Sequence, residues 1–317
     1  EWDGAGWIQP ALPARPSAQI VQCAAYDENR NVTVAMLTNP AQASETWEWN
    51  GTVWALRRTE GVLQFGRFAY DPVRRKVVTA EFAVTQSGAR AWNGTFWTTY
   101  TSQVQGDVAI GLATDRVNGV VWRLGNATTG LPLGRTNATG WIDVASRMHA
   151  GHGMVSPRTV YHEARSQLVV FDGPSGRTAT WDGFRWSESS SPTAPSQRDQ
   201  FAMVYDATRG KVVLFGGFDT LTGQAFGDTW TWDGVWQQVA TSGPPPQFQS
   251  LMADDRGRGR VVLLGGFFSS TGVFERWEWD GVTWRRSGAV PPVNLGALAF
   301  GYDEARQRLV FDSGLGM

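Results

Sequence analysis

The sequence predicts an all-β fold built from a four-stranded unit repeated seven times. Three observations carry that expectation. A turn-and-strand pattern recurs at near-constant spacing, a tryptophan-flanked Asp-Gly or Asn-Gly turn recurs later in most units, and the two ends of the chain hold complementary halves of one unit.

The unit is clearest at Tyr205-Asp206, where a turn leads into Lys211-Val212-Val213-Leu214-Phe215-Gly216-Gly217 and then Asp228-Thr229-Trp230-Thr231-Trp232-Asp233-Gly234 with Trp236. Its first half recurs at Tyr26-Asp27, Tyr70-Asp71, Thr114-Asp115, Tyr161-His162, Asp254-Asp255 and Tyr302-Asp303, in steps of 44 to 49 residues. That period matches the blades of a seven-bladed β-propeller. The expected blades run over about 17–56, 62–100, 105–143, 152–188, 197–239, 247–287, and 293–317 completed by 1–9, in a single domain spanning 1–317.

Each element has a physical reason. An Asp followed by small or polar residues and Arg or Gly makes a turn, and the apolar run after it, such as Val212 to Phe215, is a strand covered on both faces by neighbouring blades. The pairs Gly216-Gly217 and Gly265-Gly266 release the chain from the sheet, because glycine takes positive φ without a Cβ clash. In Trp-x-Trp the period of two sets both indoles on one strand face, and the Asp-Gly or Asn-Gly that follows signals a hairpin. This turn appears at Trp49-Asn50-Gly51, Trp92-Asn93-Gly94, Trp181-Asp182-Gly183, Trp232-Asp233-Gly234 and Trp279-Asp280-Gly281, each with a further tryptophan just beyond. One more copy opens the chain, Trp2-Asp3-Gly4 with Trp7, while Tyr302 to Gly314 supplies only a first half. Pairing these fragments would close the last blade and remove open sheet edges.

The residues Tyr-Asp, Lys-Val-Val-Leu-Phe-Gly-Gly and Asp-Thr-Trp-Thr-Trp-Asp-Gly at 205–234 resemble the Kelch repeat, and the resemblance covers essentially the whole chain. Some copies depart from it: Thr79-Ala80, Asp172-Gly173 and Asp312-Ser313 replace Gly-Gly, and Thr136-Asn137-Ala138 replaces Trp-Asn-Gly. The repeat accounts for most of the 17 tryptophans as blade packing. Four glycosylation sequons, at Asn31, Asn50, Asn93 and Asn137, fall mostly in repeat turns and read as chance.

With 28 basic and 29 acidic residues the net charge is −1, which excludes a general attraction to nucleic acid. Lys76 and Lys211 are the only lysines, and the arginine bias reads as a GC-rich coding sequence. Cys23 stands alone, so there is no internal disulfide and no thiolate zinc cage. No apolar run reaches a membrane-spanning length. A start at Glu1 suits a processed product, and the expected location is secreted, cell-surface or periplasmic, with the cytoplasm as the alternative.

The Kelch resemblance implies that the first strand of each blade lines a central channel. It also implies that the inter-blade loops, with those joining second and third strands, share the ligand face. Those segments bring Gln19, Gln22, Gln64, Arg67, Asp107, Arg147, His149, His152, Arg198, Asp199, Gln247, Gln249 and Asn294, a set of amides and charges suited to polar ligands or peptide backbone. The loops Phe218 to Gly227 and Phe267 to Phe274 add Phe268 and Phe274 as adaptable contacts. His149 and His152, beside the eroded turn, are candidates for metal binding or general base chemistry with Asp107 or Asp199, although two histidines three apart lack a third ligand. Tyr161-His162 is similar to the copper pair of galactose oxidase, a Kelch-type enzyme, but it occupies a turn slot on the opposite face.

The leading reading is a non-enzymatic, monomeric binding module, without cofactor, that recognises a protein, peptide or glycan through the inter-blade loop face. The alternative is an enzyme with an acid/base or metal-assisted site around His149 and His152. A structural spacer without an occupied site is the third.

Overall fold

The computed structural model describes residues 20–39, 41–61, 65–81, 89–99, 101–102, 108–126, 131–138, 140–148, 157–189, 193–266, 275–289, 299–303 and 305–312. The chain forms two compact units, residues 1–153 with 296–317, and residues 154–295.

The first unit holds three blades. Blade one is Ile20–Asp27, Val32–Thr38, Ser44–Trp49 and Trp54–Glu60, and blade two is Phe65–Asp71, Lys76–Glu81, Arg90–Trp92 and Trp97–Thr99. Blade three is Val108–Asp115, Val120–Asn126, Leu131–Thr136 and Gly140–Met148, and it gains a fifth strand because Thr101–Ser102 pairs in parallel with Gly140 and Trp141. A two-stranded sheet, Ala299–Asp303 with Arg308–Asp312, packs beside blade one.

The second unit also holds three blades. Blade four is Pro157–His162, Gln167–Asp172, Arg177–Trp181 and Trp186–Ser189. Blade five is Ala202–Asp206, Lys211–Phe215, Thr229–Trp232 and Trp236–Ala240, and blade six is Leu251–Asp255, Arg260–Leu264, Glu275–Trp279 and Trp284–Ala289. The four strands of each blade pair in chain order as an antiparallel meander.

The expectation of seven blades is therefore corrected to six. Among the described residues the unit begun at Tyr302 forms a two-stranded sheet, and two strands do not make the four-stranded layer of a blade. Trp2, Asp3, Gly4 and Trp7 lie outside the described residues.

The core lies in the seams between neighbouring blades of each unit. The second strands are the most deeply covered: Val34, Ala35 and Met36, and Val212 to Phe215, are buried, which explains their unbroken apolar runs. One cluster joins blades four and five through Val169, Phe171, Phe201, Tyr205 and Leu214, and another joins five and six through Ala202, Phe215, Val261, Leu263 and Trp279. Three seams share one indole hydrogen bond. Trp97, Trp236 and Trp284 on outer strands donate Nε1 to the hydroxyls of Thr46, Thr178 and Thr229 on the preceding blade, at 2.8, 2.7 and 2.7 Å.

The first turns share one plan. The Asp side chain accepts backbone N–H groups two or three residues on, as Asp27 does from Asn29 and Arg30 and Asp206 from Arg209, and in five units the arginine three residues on pairs back with it, while Asn118 takes that place beside Asp115. The fourth residue after the Asp is left-handed in all seven units: Asn31, Arg75, Gly119, Ser166, Gly210, Gly259 and Gln307. In blade four His162 stands in the Asp position and its Nδ1 accepts from Arg165 N at 3.2 Å.

These arginines also clip neighbouring blades. Arg30 lies against Gly94, Arg165 against Gly234 and Arg209 against Gly281, each in the Trp-Asx-Gly turn of the following blade, and Arg306 of the two-stranded sheet lies against Gly51 of blade one. Arg306 donates to Asn31 O and Asn50 O, and Arg165 to Asp233 Oδ1 at 3.2 Å. A side chain at Gly51 or Gly281 would collide with the arginine, so the turn glycine serves both its positive φ and the close approach.

Candidate functional site

The loop end of the second unit is stitched together by backbone bonds. Asp199 and Phe218 exchange both N–H to carbonyl bonds, at 2.8 and 3.0 Å. Gly217 N donates to Gln247 O and Gln247 N to Phe226 O, both at 3.0 Å, while Gln249 N donates to Gln200 O at 2.8 Å. The inter-blade loops leading into blades five and six are thus bonded to each other and to the loop at 216–228. Phe218 stacks on Phe248 with ring centroids 4.7 Å apart. A Cβ on Gly173 would strike the carbonyl of Arg198, and one on Gly216 would lie 2.5 Å from that of Gln247, so small residues there let the next loop close down.

Arg198 is the buried keystone of this end. It donates to Asp228 Oδ1 and Oδ2 at 2.7 and 2.9 Å, to Gly216 O and Ser196 O at 3.0 Å, and to Ser196 Oγ at 3.0 Å, with its guanidinium 4.3 Å from the Phe226 ring centre. Burial opposes ionisation of Asp228, but the hydrogen bonds and charge of Arg198, with the Trp230 indole N–H, more than offset it and hold the carboxyl below its ordinary range. Gln247 is buried and its backbone joins the stitching.

What this platform presents to solvent is polar with one apolar tip. Gln200 and Gln249 hold the left-handed conformation at equivalent places, φ 53° and 58°. Asp199 Oδ1 accepts from Gln200 N at 2.7 Å. Asp219 caps the tip of the long loop by accepting from the N–H groups of Leu221 and Thr222, which lowers its pKa, and Leu221 is 88% exposed. Arg158, on the first strand of blade four, is half-buried. Burial lowers its pKa from the ordinary value, and the charge of Asp199 works the other way.

The other sequence candidates divide in two. Arg67 lies half-buried on the first strand of blade two, opposite Ala80, and Arg147 lies on the fourth strand of blade three, opposite Pro132. Gln22 is on the first strand of blade one. Gln19, Gln64, Asp107, His149, His152, Phe268, Phe274 and Asn294 lie outside the described residues. Among the described residues, no three His, Cys, Asp or Glu side chains come together as a metal site would require. Cys23 is buried, which raises its thiol pKa well above the ordinary value.

Two features had escaped sequence reasoning. Arg158 follows a segment of glycine and histidine, and only the strand register, Arg158 opposite Phe171, places it on the first strand of blade four. Gln249 was named from its place before an apolar strand, but its left-handed backbone and its pairing with Gln200 were not, since no turn rule flags that spacing.

No protein-family model matches the chain, and no curated protein sequence matches it. Among solved structures it is similar to a streptogramin B lyase, with TM-score 0.60 and 10% identity over 96% of this chain and 93% of that one. It is similar to the RRP9 WD40 repeats at TM-score 0.62 and 12% identity, over 96% and 91% of the two chains. It is also similar to the SapL1 lectin in complex with alpha methyl fucoside, at 0.53 and 14%, over 87% and 98%. These likenesses span several propeller types without singling out the Kelch type. With the six blade sheets, they show that the chain is an all-β β-propeller.

Proposed function

We propose that this protein is a Kelch-like, non-enzymatic binding module that recognises a protein, peptide or glycan through the loop end of its blades. The Tyr-Asp turns, the double glycines and the Trp-Asx-Gly hairpins support the Kelch type. The observation that carries the functional reading is the stitched platform of the second unit. Backbone bonds and the Arg198–Asp228 pair fix its base, while Gln249 and Leu221 remain exposed at its surface. A rigid base with polar and apolar groups above it lowers the entropy lost on binding. Propellers of similar fold include the lectin solved with alpha methyl fucoside and a chain of a mitotic checkpoint complex.

The test is a screen of the full chain against a glycan array and an immobilised peptide library, repeated with a Leu221→Ala, Gln249→Ala double variant. We expect binding to weaken at least tenfold while thermal stability is unchanged. Undiminished binding by the double variant would refute the loop end as the recognition face.

A further inference from the structure

We infer that the first turn of blade four is an acid-released latch: a second proton on His162 opens the turn and frees Arg165 from the hairpin of blade five. The turn lies at the end of the blade opposite the inter-blade loops, so the device is separate from the recognition face.

The turn differs from its counterparts in the chemistry of one acceptor. Elsewhere the turn N–H groups are taken by Asp27, Asp71, Asp115, Asp206, Asp255 or Asp303, whose carboxylate oxygens accept whenever the group is ionised. His162 offers a single acceptor nitrogen. Its Nδ1 takes the N–H of Arg165 at 3.2 Å, which assigns the hydrogen of the neutral ring to Nε2. The next proton must enter at Nδ1, where it points at the Arg165 N–H. Donor then faces donor, and the bond that closes the turn is lost.

The ring has no room to turn away from this conflict. His162 is fully buried, with the Tyr205 and Trp232 rings at 4.9 and 5.6 Å between centroids. Its Nε2 has no hydrogen-bond partner among the described residues. Asp233 Oδ1 is 3.6 Å from Nε2, but that carboxylate is half-exposed and already paired with Arg165. The other charges nearby are Arg165 itself, which repels a charged ring, and Glu163, which is engaged by Arg256 of blade six at 2.6 Å. Burial is the largest influence and, with Arg165, outweighs the attraction of Asp233 and Glu163, so the pKa of the ring is lowered.

What the turn holds is the seam with blade five. Ala164 N donates to the Tyr205 hydroxyl at 3.0 Å, and Arg165 donates to Asp233 Oδ1 at 3.2 Å and lies against Gly234. Opening the turn loosens all three contacts together. In the opened turn the imidazole meets water and regains its ordinary affinity for protons. The opened form is therefore rarest above the ordinary histidine pKa of about 6.5 and gains population as pH falls below it, by up to about thirtyfold at about pH 5.

The test is amide hydrogen exchange of the full chain followed by NMR at about pH 7.5 and about pH 5, each rate divided by the intrinsic rate at that pH. We expect the Ala164 and Arg165 amides to exchange at least about fivefold faster at the lower pH on that scale, while Arg209 in the matching turn of blade five changes by less than about twofold. In His162→Asn, whose side-chain oxygen accepts without titrating, the acid response of Ala164 and Arg165 should vanish. If that variant does not fold, His162→Asp supplies the same comparison. Exchange at Ala164 and Arg165 that ignores pH, an equal response at Arg209, or a response that survives replacement of His162 would overturn the inference.

Discussion

Replacing Arg198 by Met keeps the length of the side chain and removes five hydrogen bonds. The side chain is 0% exposed, so its contacts form in a medium that screens them weakly. Asp228 would be left largely buried without its counter-charge, and the carbonyl of Gly216 would lose a donor. Breaking a buried pair by removing one partner typically costs about 3–5 kcal/mol, and the 17% exposure of Asp228 points to the lower end, about 3 kcal/mol. At about 2.1 cal/mol/K of unfolding entropy per residue, that is a fall in Tm of about 4–5 °C if the whole chain melts together, and about 10 °C if residues 154–295 melt alone. Differential scanning calorimetry distinguishes the two. The pH dependence supplies a second reading. The pKa of Asp228 is depressed in the folded protein, so its contribution is present above the unfolded value and is lost as pH falls through the folded one; in the Met variant this acid-side loss should shrink. A cost below about 1 kcal/mol at neutral pH would refute the keystone role of Arg198.

The turn glycines allow a matched pair. Gly183 and Gly281 have nearly the same φ, 98° and 97°, but a Cβ meets nothing at Gly183 and meets Arg209 at Gly281. Gly183→Ala should cost about 1–2 kcal/mol from left-handed strain alone, and Gly281→Ala about 1 kcal/mol more as Arg209 loses its bond to Gly259 O; equal urea midpoints would remove the clip from the account. His162 is buried, which lowers its pKa, with Asp233 opposing and Arg165 and Glu163 nearby; its contribution is present above the unfolded pKa and lost as pH falls below it. His162→Asp restores the usual turn residue, so stability between about pH 7 and 5 should become flatter than in the wild type, and an unchanged profile would exclude His162 as its source. Trp236→Phe removes the indole bond to Thr178 and should lower stability by about 1–3 kcal/mol, whereas Phe184→Ser, at a hairpin tip 90% exposed, should stay within about 0.5 kcal/mol in the same denaturant series.

The repeat was legible because each element advertises itself locally: Asp at the turn, an apolar run for the covered strand, Trp-Asx-Gly at the hairpin. Gly119, Gly210 and Gly259 even mark the left-handed position of the first turn. The same conformation at Arg75, Ser166 and Gln307 was not legible, since the packed turn imposes it on residues with no preference for it. Counting turns also overcounted blades. A turn motif certifies two strands, and the unit at Tyr302 shows those two among the described residues. The arginines were the clearest miss. Read as coding bias, Arg30, Arg74, Arg165, Arg209, Arg258 and Arg306 all stand three residues after the turn Asp or His, and four of them lie against the next hairpin glycine. Of the candidate site, Arg198, Asp199 and Gln247 were found from their position before apolar strands. That Arg198 faces inward could not be, because its partner Asp228 is 30 residues away and meets it only through the loop stitching.

The clip sets the chemical frame of the molecule out of step with its genetic one. Blades one and five, as encoded, each carry the arginine for the successor and the glycine for the predecessor. Duplicating either of them whole therefore leaves its clips chemically matched, whereas a cut within one strands a guanidinium on one side and an uncovered turn on the other. Blade number can then change in whole steps with little local penalty, and a blade excised alone would lack half of each of its junctions.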